Sequence, residues 1–231
     1  LARELELARE IQESLLPASH LKVGPVSVRA IFRPATEVGG DYFDVFPISE
    51  DRLVVTIGDV AGHGLSTGLL MASLKSSVAA LVYEGYGGTD LIKKVNLLLM
   101  EHGHMGAMVT LAVVEIELDE GRLVLANAGH CPALLIHPDG SFEELLAGSP
   151  PMGSRLCSPT SLVRQFPVDS RLILYSDGLV EAVSPDGEPF GYQRLEKVVE
   201  VSTDSPVSGL TTTILRALAE HADGTPAADD L

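Results

Sequence analysis

Positive charge is scarce in this chain of 231 residues: 16 Lys and Arg stand against 32 Asp and Glu, a formal net charge of −16. Nucleic acids and anionic membranes are both gripped through basic footprints, so neither is an expected partner. Cysteine is scarcer still. Cys131 and Cys157 form no CxxC pair, no disulfide framework and no zinc spacing, and a reducing cytoplasm is the expected compartment. No unbroken apolar run approaches the roughly 20 residues of a membrane span, so membrane insertion is not expected. Residues 1–6 are charged and helix-prone, unlike a signal peptide, and a start at Leu1 reads as an excised fragment. Internal repeats and low-complexity tracts are missing as well. What remains is a chain with 45% apolar side chains, ample for a substantial core.

Leu1, Leu5, Ala8, Gln12 and Leu15 are spaced 4, 3, 4, 3, a heptad seam over two repeats that Pro17 ends. Residues 1–17 therefore read as an amphipathic linker helix, which either packs on its own domain or pairs with a second copy in a homodimer. Residues 18–231 read as one domain. Strands are expected at 26–32, 53–57, 109–118, 122–126, 133–137, 162–168 and 171–175, with helices at 65–83, 90–101, 192–202 and 206–221. Asp119-Glu120-Gly121 and Pro138-Asp139-Gly140 supply hairpin turns between neighbouring strands. Mostly antiparallel strands with a few long helices give an α+β class, two stacked sheets flanked by helices.

Four short acidic motifs stand out: Gly39-Gly40-Asp41, Gly58-Asp59-Val60, Ser176-Asp177-Gly178 and Asp229-Asp230-Leu231. Three follow apolar or β-prone runs, which places an aspartate where a strand meets a turn, held by a sheet yet facing solvent. Unpaired charges beside such apolar elements are costly, and a cation shared among several carboxylates offsets that cost. Oxygen donors without a Cys/His set suit hard Mg²⁺ or Mn²⁺ and two-metal hydrolysis of a phosphate ester. The glycines of residues 58–64 fit neither GxGxxG nor a P-loop. His63, four residues after Asp59, is a candidate proton donor to a leaving alkoxide, although a lone His in a turn is ordinarily polar surface. His130, after Asn127-Ala128-Gly129, reads as a structural hydrogen-bonding residue. His102 and His104 read as residues of a helix C-terminus.

The segments 38–44 (Val-Gly-Gly-Asp-Tyr-Phe-Asp), 58–64 (Gly-Asp-Val-Ala-Gly-His-Gly), 127–130 (Asn-Ala-Gly-His), 175–181 (Tyr-Ser-Asp-Gly-Leu-Val-Glu) and 229–231 occur in this order. Together they resemble the PPM (type 2C) protein phosphatases, within them the SpoIIE/RsbU-like bacterial branch, from about Ile11 to the last residue. The resemblance implies two stacked antiparallel sheets with a pair of Mn²⁺ or Mg²⁺ ions at one edge. It implies that Asp41 and Asp59 hold or bridge the ions, that the Val60 carbonyl adds an oxygen, and that Asp177 with Asp229 or Asp230 completes the shell, Asp229 being favoured by motif alignment. The implied reaction removes phosphate from phosphoserine or phosphothreonine of a partner protein by a metal-activated water. In this branch the partner is often a small STAS-type anti-sigma antagonist, in bacterial stress response and sigma factor regulation. A catalytically weak pseudophosphatase and a dimerisation or signalling module are the alternatives. The chain stops at Leu231, where the family continues with Thr and a final strand, so that strand is expected to be cut off. The linker helix, joined to the strand that delivers Asp41, is the natural lever for an upstream signal.

Overall fold

The computed structural model describes residues 2–36, 38–62, 64–101, 107–202 and 205–231. In chain order the elements are α1 (Ala2–Leu15), β1 (His20–Val23), β2 (Val26–Arg29), β3 (Tyr42–Pro47), β4 (Arg52–Val60), α2 (Leu65–Tyr83), α3 (Gly88–Glu101), β5 (Val109–Glu117) and β6 (Arg122–Ala128). They continue with β7 (Ala133–Ile136), β8 (Phe142–Leu145), β9 (Thr160–Gln165), β10 (Arg171–Ile173), α4 (Asp177–Glu181), α5 (Gly191–Glu200) and α6 (Val207–Ala222).

Side-chain alternation on the strands divides the interior into layers. A strand presents successive residues to opposite faces, so one covered on both sides must be apolar almost throughout. That is the pattern of β5 and β7. Val109, Leu111 and Val113 of β5 pack with Met71, Leu74 and Val78 of α2 and Leu91, Ile92 and Val95 of α3. The intervening Ala112, Val114 and Ile116 pack with Leu123 and Leu125 of β6 and with Ala133 and Leu135 of β7. The alternate residues of β7, Leu134 and Ile136, then face Leu179, Phe190, Leu195, Leu210 and Ile214 of the second helical layer and its flanks. The result is helices, sheet, sheet, helices, the expected α+β class.

Pairing is antiparallel throughout: one sheet runs β3-β4-β5-β6-β9, the other β10-β7-β8, and β1-β2 form a separate hairpin. Both expected turns close their hairpins. Gly121 N–H donates to the Leu118 carbonyl (3.3 Å) between β5 and β6, and His137 N–H to the Ser141 carbonyl (2.7 Å) between β7 and β8.

Several expectations need correction. Strands β1, β3 and β8 and the helix α4 were not among the expected elements. β1 and β8 carry Lys22, Glu143 and Glu144 and so show no apolar run, α4 is little more than one turn, and β3 is interrupted by Asp44, whose buried carboxylate is paired with Lys75 from α2. Asp59 stands inside β4 rather than in a turn, and the chain passes from Ser176 straight into α4 at Asp177. α2 is long and apolar enough to cross a membrane by length and composition. A count of unbroken apolar residues overlooks it because Ser, Thr and Gly interrupt it, while Leu70, Met71, Leu74, Val78 and Val82 pack into the core.

The linker helix α1 lies along α2. Gln12 is only 4% exposed, Ala8 and Leu15 are half-buried, and Leu7 and Ile11 stand 56% and 53% exposed. The described side chains of the heptad seam thus face this domain, and the uncovered apolar residues are Leu7 and Ile11. Gly68 of α2 permits the contact, because a Cβ there would collide with Val38, just under Gln12.

Candidate metal centre

Four chain segments that are distant in sequence meet at one end of the sheets. Asp59 is the penultimate residue of β4, opposite Thr110 of β5, and its N–H donates to the Thr110 hydroxyl (3.0 Å). Asp41 directly precedes β3 and is buried, and its Oδ2 accepts a 2.5 Å hydrogen bond from Ser176 Oγ. Asp177 opens α4 with Ser176 in the N-cap position. The C-terminal residues reach the same place because Leu231 exchanges two backbone hydrogen bonds with Arg33 (2.5 and 3.0 Å).

The adjacent acids at the C-terminus do different work. Asp230 Oδ1 accepts Ala35 N–H (2.8 Å), and its Oδ2 accepts the N–H groups of Gly40 (2.6 Å) and Asp41 (3.4 Å). It therefore cross-braces the loop that carries Asp41. Asp229 accepts the next residue's N–H (2.9 Å) and adds its charge to those of Asp59 and Asp177.

Two glycines make the meeting possible. A Cβ on Gly40 would lie 2.5 Å from the Val60 carbonyl oxygen and 3.0 Å from Asp59 Oδ1. One on Gly178 would collide with the Asp230 carbonyl. Both positions need the missing side chain because backbone approaches backbone there.

The electrostatics are those of a crowd of like charges. Burial pushes Asp41 up to about 8, aided by Asp59, Asp230 and Asp177 and partly offset by the Ser176 hydroxyl. Asp59 rises to about 7 through burial and the charges of Asp177, Asp229 and Asp230. Asp177 is raised by burial and by Asp229. Among the described residues no Lys, Arg or His forms an ion pair with any of these five carboxylates. Such a group takes up either protons or a divalent cation. Hard oxygen donors fit Mg²⁺ or Mn²⁺, and the Val60 carbonyl beside Asp59 adds a neutral oxygen. No three His, Cys, Asp or Glu side chains among the described residues close around one point.

A pH dependence follows. Between about 4 and 8 the folded chain keeps protons on Asp41 and Asp59 that the unfolded chain, with its ordinary value of 3.8, has released. The folded state binds more protons, so stability of the metal-free protein falls as pH rises through 7 and 8. Affinity for the cation rises over the same window, because the ion displaces those protons. Thermal melts from pH 5 to 9 in chelator, paired with Mn²⁺ titrations, check both slopes; a flat melting profile contradicts the assignment.

The histidines separate. His63, His102 and His104 lie outside the described residues. His130 is 6% exposed, and burial lowers its pKa to about 4, so it is neutral. Burial pushes the Cys131 thiol up to about 12, so it is protonated in the metal-free protein. Three functional residues escape the sequence reading: Ser176, Thr110 and Gln12. Ser176 sits within a quoted motif, and Gln12 announced itself only as a polar residue in an apolar seam. Thr110, inside an apolar strand, gave no signal.

Carboxylates gathered from β4, the lead into β3, the start of α4 and the C-terminus stand at one end of a four-layered α/β/β/α sandwich, the architecture of PP2C-type domains. The chain belongs to the SpoIIE family, whose model, Stage II sporulation protein E, matches residues 49–231. It is 29% identical to Protein IcfG of Synechocystis sp. over 99% of this chain and 40% of that protein. It is also 29% identical to the phosphoserine phosphatase RsbP of Bacillus subtilis, over 99% of this chain and 56% of that one. The SiaA-PP2C domain of Pseudomonas aeruginosa shares the fold, with a TM-score of 0.85 at 18% identity over 99% of this chain and 93% of that one. The chain spans 40% of the length of IcfG, 56% of RsbP and 66% of a further curated relative, the phosphoserine phosphatase RsbU of Bacillus subtilis.

Proposed function

We propose that this chain removes phosphate from phosphoserine or phosphothreonine on a regulatory partner protein, a STAS-type anti-sigma antagonist, within cytoplasmic sigma factor control. The observation that carries the reading is the cluster of Asp41, Asp59 and Asp177, three carboxylates from separate segments that are pushed toward protonation and have no cationic side chain among the described residues paired with them. Similarity to a phosphoserine phosphatase supports the substrate class.

In this reading Asp41, Asp59, the Val60 carbonyl, Asp177 and Asp229 hold two Mn²⁺ or Mg²⁺ ions, which when bound supply an activated water and neutralise phosphate oxygens. Asp230 is assigned to the loop amides it already bonds rather than to an ion. The Ser176 hydroxyl fixes the rotamer of Asp41 from the α4 side, and burial of Asp41 excludes bulk water from that carboxylate. His63 is the candidate acid for the leaving alkoxide. α1 adds control: Gln12 ties it to Gly39, next to the loop of Asp41, and its exposed Leu7 and Ile11 offer a seam for a homodimer.

Release of phosphate from p-nitrophenyl phosphate and from a serine-phosphorylated STAS protein, with Mn²⁺, Mg²⁺ or chelator, tests the reading. Turnover of both with metal and of neither in chelator is the expected result. Metal binding without turnover of either substrate would identify a pseudophosphatase.

A further inference from the structure

We propose that His130 is a positioning residue for this phosphatase, holding the backbone of Asp59 in place through the hydroxyl of Thr110. The imidazole is delivered with little freedom. β6 ends at Ala128, Gly129 turns the chain at φ 71°, and the buried side chain of Asn127 spans the turn. Its Oδ1 accepts His130 N–H (2.8 Å) and its Nδ2 donates to the His130 carbonyl (3.0 Å). From there Nδ1 lies 2.8 Å from Thr110 Oγ1, the same oxygen that accepts Asp59 N–H at 3.0 Å.

The proposed chain of bonds runs in one direction: Thr110 Oγ1 accepts from Asp59 N–H and gives its single proton to Nδ1. A neutral ring that accepts at Nδ1 carries its proton on Nε2. Burial keeps the ring neutral, and the carbonyl of Tyr175 lies beside it, although Nε2 itself closes no hydrogen bond. Tyr175 is the residue before Ser176, which holds Asp41, and two before Asp177. His130 thus stands between the strand that presents Asp59 and the segment that presents Ser176 and Asp177. It touches no reacting atom.

The consequence is local. Asp59 is paired with Thr110 in the β4–β5 ladder and its N–H donates to the Thr110 hydroxyl, so where Oγ1 sits bears on the setting of Asp59 and of the Val60 carbonyl after it. A hydroxyl steered by a fixed acceptor has one orientation; a free one rotates. Outer groups that orient ligands typically change metal affinity or activity by about 10- to 100-fold when removed.

The test compares wild type with Thr110→Val, which keeps shape, Thr110→Ser, which keeps the hydroxyl, and His130→Leu. Mn²⁺ binding is read by calorimetry, p-nitrophenyl phosphate turnover is followed against Mn²⁺, and ¹⁵N NMR of the imidazole reports the tautomer. Expected are an Nε2–H ring in wild type and a roughly tenfold or larger weakening of Mn²⁺ binding in Thr110→Val. Thr110→Ser should restore wild-type binding, and the double variant Thr110→Val/His130→Leu should be no weaker than the weaker single variant. Mn²⁺ binding of Thr110→Val within twofold of wild type, an Nδ1–H ring, or additive losses in the double variant would each overturn the proposal. The inference rests on the phosphatase reading, yet binding and tautomer are measured without turnover. A wild type that binds Mn²⁺ and turns nothing over defeats that reading and leaves this test intact.

Discussion

Asp59→Asn is expected to abolish metal-dependent turnover while leaving the metal-free fold at least as stable as wild type. The two halves of that result have one cause. Asp59 is half-buried beside Asp177, Asp229 and Asp230, and its raised affinity for protons is the mark of a charge that the fold alone does not compensate. Asparagine keeps the shape and removes the charge, so repulsion within the cluster falls. A gain of about 1 kcal/mol corresponds to a rise of roughly 2–4 °C in Tm for a domain of this size. The same charge is what the cation needs. Metal activation of water and phosphate is worth several kcal/mol, and each 1.4 kcal/mol is tenfold in rate, so a loss on the order of 10³-fold or more in kcat/KM is expected. Asp177→Asn should behave alike. Thermal melts in chelator and p-nitrophenyl phosphate turnover at saturating Mn²⁺ decide the matter; near-normal turnover by Asp177→Asn would falsify its place in the shell.

Much of this site was legible because each carboxylate lies in a segment whose neighbours are constrained too. Gly40 and Gly178 appear in the sequence only as members of the acidic motifs, and the structure gives the reason for them: backbone oxygens of Val60 and Asp230 occupy the space of their missing side chains. The layered fold was legible for a related cause: β5 is buried on both faces, and its consecutive apolar residues 111–114 show it. What the sequence hid were roles that depend on who arrives from elsewhere. Asp229 and Asp230 are identical letters side by side, yet only Asp230 meets the amides of residues 35, 40 and 41. Thr110 is one more β-branched residue in a strand until Asp59 and His130 approach its hydroxyl. β3 concealed itself because Asp44 breaks its apolar pattern, and only the fold brings Lys75 to that carboxylate.

Gln12→Leu is expected to uncouple the linker helix from the metal loop. The Gln12 amide makes two bonds to one residue: Nε2 donates to the Gly39 carbonyl (2.6 Å) and Oε1 accepts Gly39 N–H (2.9 Å). The next residue, Gly40, donates to Asp230, and the one after is Asp41. A rigid helix is thus fastened one peptide away from a loop whose position decides whether Asp41 joins the shell. Leucine leaves both polar groups of Gly39 buried and unpaired, at about 1–3 kcal/mol each, so the loop shifts to satisfy them elsewhere. A bias of about 3 kcal/mol moves a two-state population roughly 100-fold, since every 1.4 kcal/mol is tenfold. The chain of residues 1–231 alone should therefore show weak Mn²⁺ affinity and low basal turnover, both rising when α1 is paired. A parallel coiled coil fused upstream of Leu1 should activate in the register that brings Leu7 and Ile11 of two copies together, and registers shifted by a few residues should not. In Gln12→Leu that register dependence should vanish, with turnover low throughout. Equal turnover in every register, and in a chain beginning after Pro17, would show that α1 does no more than pack on α2.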